Sequence, residues 1–427
     1  MRNRAVLAVL VATLIAGCTR HDTRTTLRFW GMGREGEVVQ ELVPAFEHEH
    51  PGIHVIVQQI PWSAAHEKLI TAYVGRSTPD VGQLGNTWVP EFAALKAIEP
   101  LRPWLARSAT LDSTAFFAGV WDTNVLEGQP YGVPWYVDTR VLFYRKDVLR
   151  QAGYDAMPQR WDEWKRAMHA VKRVVGRDKF AIFLPTNEWN PEVILALQAG
   201  SPLLSDGATR AAFTDSAFRR GFDFYVSLFR EGLAPPVSNT QIANIYQEFA
   251  RGYFNMVITG PWNLGEMRSR LPAALQDDWA TAPLPGPEGA ASGVSLAGGS
   301  SLVLYRGSRH KAEGWALIEY LSRPEVQLKF WRLTGDLPGR VEAWRDTALA
   351  ADPNTRAFGE QLKRVVATPK VPEWEQIAMR LQDQVERVVR GAVAPDSALA
   401  QLSREVDTML EKRRWLRARA IAAKATR

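Results

Sequence analysis

The chain of 427 residues contains a single cysteine, Cys18. With no second thiol it closes no internal disulfide, so the fold must hold by burial and hydrogen bonding. Long hydrophobic runs are equally scarce. Residues 5–16 form one apolar stretch of twelve, too short to cross a bilayer as a stable helix, and no later stretch approaches spanning length. The patterns H-E-x-x-H, G-x-x-x-x-G-K-[ST] and G-x-S-x-G are missing, which removes the usual marks of zinc hydrolases, P-loops and nucleophile elbows. Neither charge sign dominates. The formal charge of +6 includes Arg2 and Arg4 of a removable leader, and Arg413, Arg414, Arg417, Arg419, Lys424 and Arg427 crowd the last fifteen residues. A basic C-terminal helix face of this kind reads as solvated surface, and no nucleic-acid partner is expected.

What is present begins at the N-terminus. A short basic region precedes the apolar run, which closes on Ile15-Ala16-Gly17-Cys18. This resembles the bacterial lipobox, in which small residues admit the lipoprotein signal peptidase and the cysteine is then acylated. The expectation is a signal peptide over residues 1–17, a lipid on Cys18, and a polar tether over 18–26 that holds the protein on the extracytoplasmic side of a membrane.

Beyond the tether the chain is long enough for two domains, since one core stops growing near 250–300 residues. Residues 27–30 read as a strand, 35–48 as an amphipathic helix, 53–57 as a strand and 63–74 as a helix. Strands recur at 141–144, 256–259 and 301–305. Helices recur at 161–175, 216–230 and 311–321, with one long helix from Ser397 onward. Alternation of this sort indicates an α/β protein with a parallel or mixed sheet, whose ligands sit beyond the carboxyl ends of the strands.

Three constellations deserve to be weighed against plain structural explanations. Gly31 to Gly36 matches G-x-G-x-x-G between a strand and a helix, but the second strand ends at Gln58-Gln59-Ile60 with no acid to hold a ribose. A turn that lets backbone amides approach a ligand is the better reading, and no dinucleotide or other cofactor is expected. His48, His50 and His54 straddle a helix end and a strand start and diverge, so no metal site is expected. Asp122 and Asp138 could in principle form a glycosidase acid pair, though acids are too common to carry that reading alone.

Tryptophan is the informative excess, with sixteen in the chain. Trp161, Trp164 and Trp315 fall on helical stripes and belong to a core. Trp30, Trp62, Trp88, Trp135, Trp189 and Trp262 fall on strand-end loops beside glycine or proline. There a flat ring can stack on the C–H face of a pyranose while its N–H finds a partner. Asn86, Asp138, Glu188 and Asn190 could bond the hydroxyls. The pattern points to carbohydrate.

Several segments resemble the extracellular solute-binding proteins of the maltose-binding type, the receptors of ABC sugar importers. Tyr131-Gly132-Val133-Pro134-Trp135-Tyr136-Val137-Asp138 is similar to that family's first interlobe crossing. Thr78-Pro79-Asp80-Val81, Phe249-Ala250-Arg251-Gly252, Gly260-Pro261-Trp262, Gly298-Gly299-Ser300-Ser301 and Thr334-Gly335-Asp336-Leu337-Pro338 follow in the family's order. The resemblance implies a two-lobed periplasmic-binding-protein fold of type II, with three crossings near Val137, Ala297 and Trp331. Lobe I would comprise 27–137 and 298–330, and lobe II 138–297 and 331–427. Ligand-binding positions would be Trp30, Asn86, Trp88, Tyr136, Asp138, Glu188, Trp189, Trp262 and Gly299. A monomeric, non-enzymatic receptor delivering sugar to a permease follows. The alternatives are a secreted carbohydrate-active enzyme, a same-fold receptor for a polyamine or glycerophosphodiester, and a module that feeds a sensor kinase.

Overall fold

The computed structural model describes residues 23–425, so Cys18 and the leader lie outside the described residues. Nine strands build the two principal sheets: β1 Thr25–Met32, β2 Ile53–Ile60, β3 Val81–Gly85, β4 Val133–Asp138, β5 Val141–Arg145, β6 Met256–Thr259, β7 Trp279–Ala282, β8 Gly298–Leu304 and β9 Leu337–Pro338. The larger sheet has the order β9-β4-β8-β3-β1-β2, and the smaller one is β6-β5-β7. In the larger sheet β1 pairs in parallel with β2 and β3, whereas β8 runs antiparallel to β3 and β4. The smaller sheet is wholly antiparallel. The fold is therefore mixed α/β.

β1 shows why this order suits the sequence. Leu27 and Phe29 enter one core with Val38, Leu42 and Phe46 of the helix Gly33–Glu49. Trp30 and Met32 enter a second layer with Leu69, Phe92 and Tyr305. A parallel strand covered on both faces carries apolar residues on both, as β1 does. The smaller sheet has its own core, in which Trp161, Trp164, Phe218, Phe222 and Tyr225 from two amphipathic helices are buried.

The passages between the sheets position the cleft. β4 leads into β5 through Thr139 and Arg140 alone, and the chain returns through Leu296 and Ala297 into β8. Trp331, near which the third crossing was expected, lies inside the helix Pro324–Thr334, and β9 still pairs with β4 of the larger sheet. Trp344 then donates from Nε1 to the Pro338 carbonyl at 3.0 Å, ahead of the helix Pro353–Leu362 that packs on β7. The chain thus leaves the larger sheet only after Pro338.

Two other expectations need correction. The terminal helix is two helices, Pro395–Met409 and Glu411–Ala425, interrupted at Leu410, which is buried and anchors the bend. Trp135 is not a loop residue. It is fully buried on β4, with its ring 4.5 Å from Phe330 and 5.9 Å from Phe29. Its neighbouring proline marked the start of a strand, where the ladder tolerates one.

Candidate functional site

A cleft of about 600 Å³ opens where the passages meet. Of the nine predicted ligand positions, Asn86, Trp88, Tyr136, Asp138, Trp189, Trp262 and Gly299 line it. Two do not. Trp30 is 8% exposed and turned into the layer beneath β1, with the Lys68 ammonium 5.3 Å from its ring. The cause is strand alternation, which points residue 30 away from the side that residues 27 and 29 occupy and into a covered layer. Glu188 is also absent from the lining and accepts from Asn239 Nδ2 at 2.5 Å.

The floor is a hydrogen-bonded network on the larger sheet. Gln83 on β3 accepts from the Met32 N–H at 2.7 Å and donates to Tyr136 Oη and Ser300 Oγ, both at 3.2 Å. Tyr136 in turn donates to Glu35 Oε1 at 2.8 Å. Ser301 donates to Asn86 Oδ1 at 3.0 Å. Gln83, Tyr136 and Ser300 hold one another and Ser301 holds the Asn86 carbonyl oxygen, which fixes this surface before any ligand arrives, while Asn86 Nδ2 is buried without a partner.

Aromatic rings form the walls. Trp62 and Trp88 meet edge to face at 5.8 Å, and His66 lies 5.1 Å from Trp88 while bonding Glu91 at 2.7 Å. Across the cleft, Trp189 meets Trp374 edge to face at 5.6 Å. Trp262 begins its helix with 42% of its surface exposed, and the Arg140 guanidinium lies 4.5 Å from its ring centre while pairing with Asp138. Trp62, at 38% exposure, faces the same opening.

Glycines fix these rings. A Cβ on Gly260 would come within 1.9 Å of the Trp262 ring, and one on Gly33 within 2.8 Å of Trp62. Gly31 and Gly36 touch one another, since a Cβ on Gly31 would sit 2.7 Å from the Gly36 Cα. The G-x-G-x-x-G spacing therefore serves close strand–helix packing and the seating of Trp62. Gly260→Ala is expected to push the Trp262 ring aside and lower ligand affinity about tenfold, with little loss of stability because the ring is half exposed. A binding titration beside thermal unfolding checks this.

Four carboxyl groups lie in the lining, and three of them, Glu35, Asp336 and Glu375, were not anticipated as ligand positions, nor was the neighbouring cation Arg34. Burial pushes the Glu35 carboxyl above its ordinary value, opposed by bonds from its own backbone, Tyr136 and Trp62. Asp336 is driven well above the usual aspartate range, first by burial and then by repulsion from Glu35 and Asp138. Glu375, beside Thr87 of the facing loop, is raised by burial. Buried acids of this kind disfavour ionisation and keep a proton available for hydrogen bonding. An acid whose folded-state pKa lies above its unfolded value stabilises most at low pH and loses that contribution as pH climbs from the unfolded toward the folded value. Asp336→Asn is accordingly expected to stabilise the protein by about 1–2 kcal/mol at pH 8, with the gain vanishing below pH ~4. Denaturant unfolding at the two pH values tests it.

A sequence profile described as bacterial extracellular solute-binding protein matches residues 31–328. The chain belongs to that family. A solved structure, the sugar-binding protein MalE from the phytopathogen Xanthomonas citri, is 51% identical with a TM-score of 0.89, covering 92% of this chain and 99% of that one. An ABC transporter solute-binding protein from Thermotoga lettingae, bound with α-D-tagatose, is 25% identical with a TM-score of 0.76, covering 90% and 100%. An uncharacterized lipoprotein from Streptomyces antibioticus is 26% identical over 88% of this chain and 86% of its own length. The fold is that of the MalE-type two-lobed binding proteins, which the family resemblance implied from the order of its motifs. Among the described residues no helix is long and apolar enough to cross a membrane.

Proposed function

We propose that this protein is the extracytoplasmic receptor of an ABC importer and captures a sugar between its two lobes. The observation that carries the reading is the cleft, where exposed Trp62 and Trp262 stand over a floor of hydrogen-bonded Tyr136, Glu35, Asn86 and Asp138. Rings supply stacking faces for the C–H side of a pyranose, and carboxyl and amide groups bond its hydroxyls. Two similar solved structures carry names that point the same way, since one is called sugar-binding and another holds tagatose.

Capture is a two-state trap. A ligand that contacts both lobes favours the closed form by the difference of its affinities for the two. Asn86, Trp88, Tyr136 and Gly299 lie on or beside the larger sheet, while Trp189 and Trp262 come from the elements around the smaller one. The permease then recognises the closed surface. The lobe boundaries follow the passages at Thr139–Arg140, at Leu296–Ala297 and after Pro338, and Cys18 carries the lipid that keeps the receptor at the membrane. The site needs no chemistry beyond binding.

One observation favours a second reading. The cleft gathers the carboxyls of Glu35, Asp138, Asp336 and Glu375, as a polyamine site would require. Asp138 is already paired with Arg140, and the raised affinity of Glu35 and Asp336 for protons suits hydroxyl ligands better than cations. Tryptophan fluorescence titrated against neutral mono- and oligosaccharides, with spermidine alongside, separates the two. A saturable shift with one sugar class supports the proposal, whereas a shift with spermidine alone rejects it.

A further inference from the structure

The helix Glu411–Ala425 carries Lys412, Arg413, Arg414, Arg417, Arg419 and Lys424 against one acid, Glu411. Two of these cations hold the helix to the body of the protein. Arg414 donates to the Thr209 carbonyl at 3.0 Å, and Arg417 to the Asp206 carbonyl at 2.9 Å. The other face is open. Lys412, Trp415, Leu416 and Arg419 follow one another at i, i+3, i+4 and i+7, the spacing of a single helical stripe. Trp415 is 55% exposed and Leu416 52%, the most exposed large apolar pair adjacent in sequence among the described residues, and the Arg419 guanidinium lies 4.7 Å from the Trp415 ring. A solvated face gains nothing from two large apolar side chains, and a purely electrostatic one has no use for them.

We infer that this stripe rests on an anionic membrane surface. Cations flanking a tryptophan and a leucine match what such a surface offers: acidic headgroups above an apolar boundary into which the two side chains insert by several ångströms. The Arg419–Trp415 pairing suits an interface, where the ring stays at headgroup depth and the guanidinium reaches a phosphate. An extracytoplasmic receptor meets such a surface and meets no nucleic acid, which decides between the two polyanions. Contact through the C-terminal helix would confine the receptor near its permease and fix its orientation there, independently of what the cleft binds.

The test is co-sedimentation of the chain beginning at Thr19, which retains every described residue and omits the apolar leader. Vesicles of phosphatidylcholine alone are compared with vesicles containing roughly one-third phosphatidylglycerol. Binding to the anionic vesicles, falling with added salt, is expected. Lys412→Gln with Arg419→Gln should lower vesicle affinity about 25-fold, close to fivefold per cation. Trp415→Ala with Leu416→Ala should lower it about tenfold while leaving ligand binding in the cleft intact, which shows the variants are folded. Absence of binding, or binding unchanged in the charge variant, overturns the inference. Salt-sensitive binding that ignores the loss of Trp415 and Leu416 also overturns it, because adsorption without insertion needs only net charge.

Discussion

Trp262→Ala is expected to lower affinity for the captured sugar about a hundredfold, on the order of 2.7 kcal/mol, while shifting stability by less than about 1 kcal/mol. The two halves of this expectation have different causes. A ring that is 42% exposed contributes little to the core, so truncation leaves only a small cavity. In the closed complex the same ring is buried against the ligand, and its loss removes both apolar area and the platform that orients the hydroxyls. The change also removes the ring beneath the Arg140 guanidinium, which keeps its pairing with Asp138 and whose backbone N–H and carbonyl stay tied to Ser295 Oγ at 3.2 and 2.8 Å. Trp135→Ala is the contrasting variant. That ring is fully buried, so its truncation should cost about 3–5 kcal/mol of stability, lost from the lobe that holds the larger sheet.

The second large effect is structural and lies at the passage between lobes. Gly299→Ala is expected to destabilise the protein by about 4 kcal/mol. Gly299 has φ +121°, and a Cβ there would fall 2.2 Å from the Tyr136 carbonyl oxygen and 3.0 Å from the Asp138 amide nitrogen. Backbone strain and close approach therefore act together. Gly289 separates them. Its φ is nearly the same at +118°, yet nothing lies within 4 Å of the position a Cβ would take. Gly289→Ala should cost only the strain, about 1–2 kcal/mol. The difference between the two variants in urea unfolding measures what the tight β4–β8 contact demands. If both cost the same, Gly299 is there for its backbone angle alone.

The helices were legible where one face is apolar and the other charged. The segments 161–175 and 216–230 were read to the residue, because Trp161, Trp164, Phe218, Phe222 and Tyr225 recur at helical spacing and are indeed buried. Position in the cleft was legible for loop tryptophans beside glycine, such as Trp262, where Gly260 clears room for the ring. It was misleading for Trp30 and Trp135, which sit in strands covered on both faces, where adjacency to glycine or proline marks a strand end and says nothing of which side the ring takes. Asp138 was legible from its motif, but the other three carboxyls were illegible for a different reason. Glu35 stands in the first turn of a helix and Glu375 in the first turn of another, where acids are ordinary complements to the helix dipole. Asp336 sits in the short link between the helix Pro324–Thr334 and β9, and loops are a common place for aspartate. Only the tertiary fold brings residues some 300 positions apart to one cleft, and no local pattern announces that.

The central claim is that one sugar occupies one cleft, and isothermal titration calorimetry of the mature chain with a panel of neutral saccharides tests it most directly. A saturable isotherm at one ligand per chain is expected for one class of sugar, with affinity lowered about a hundredfold by Trp262→Ala. No saturable heat from any saccharide with folded protein, or a wild-type isotherm from the Trp262→Ala variant, would contradict it.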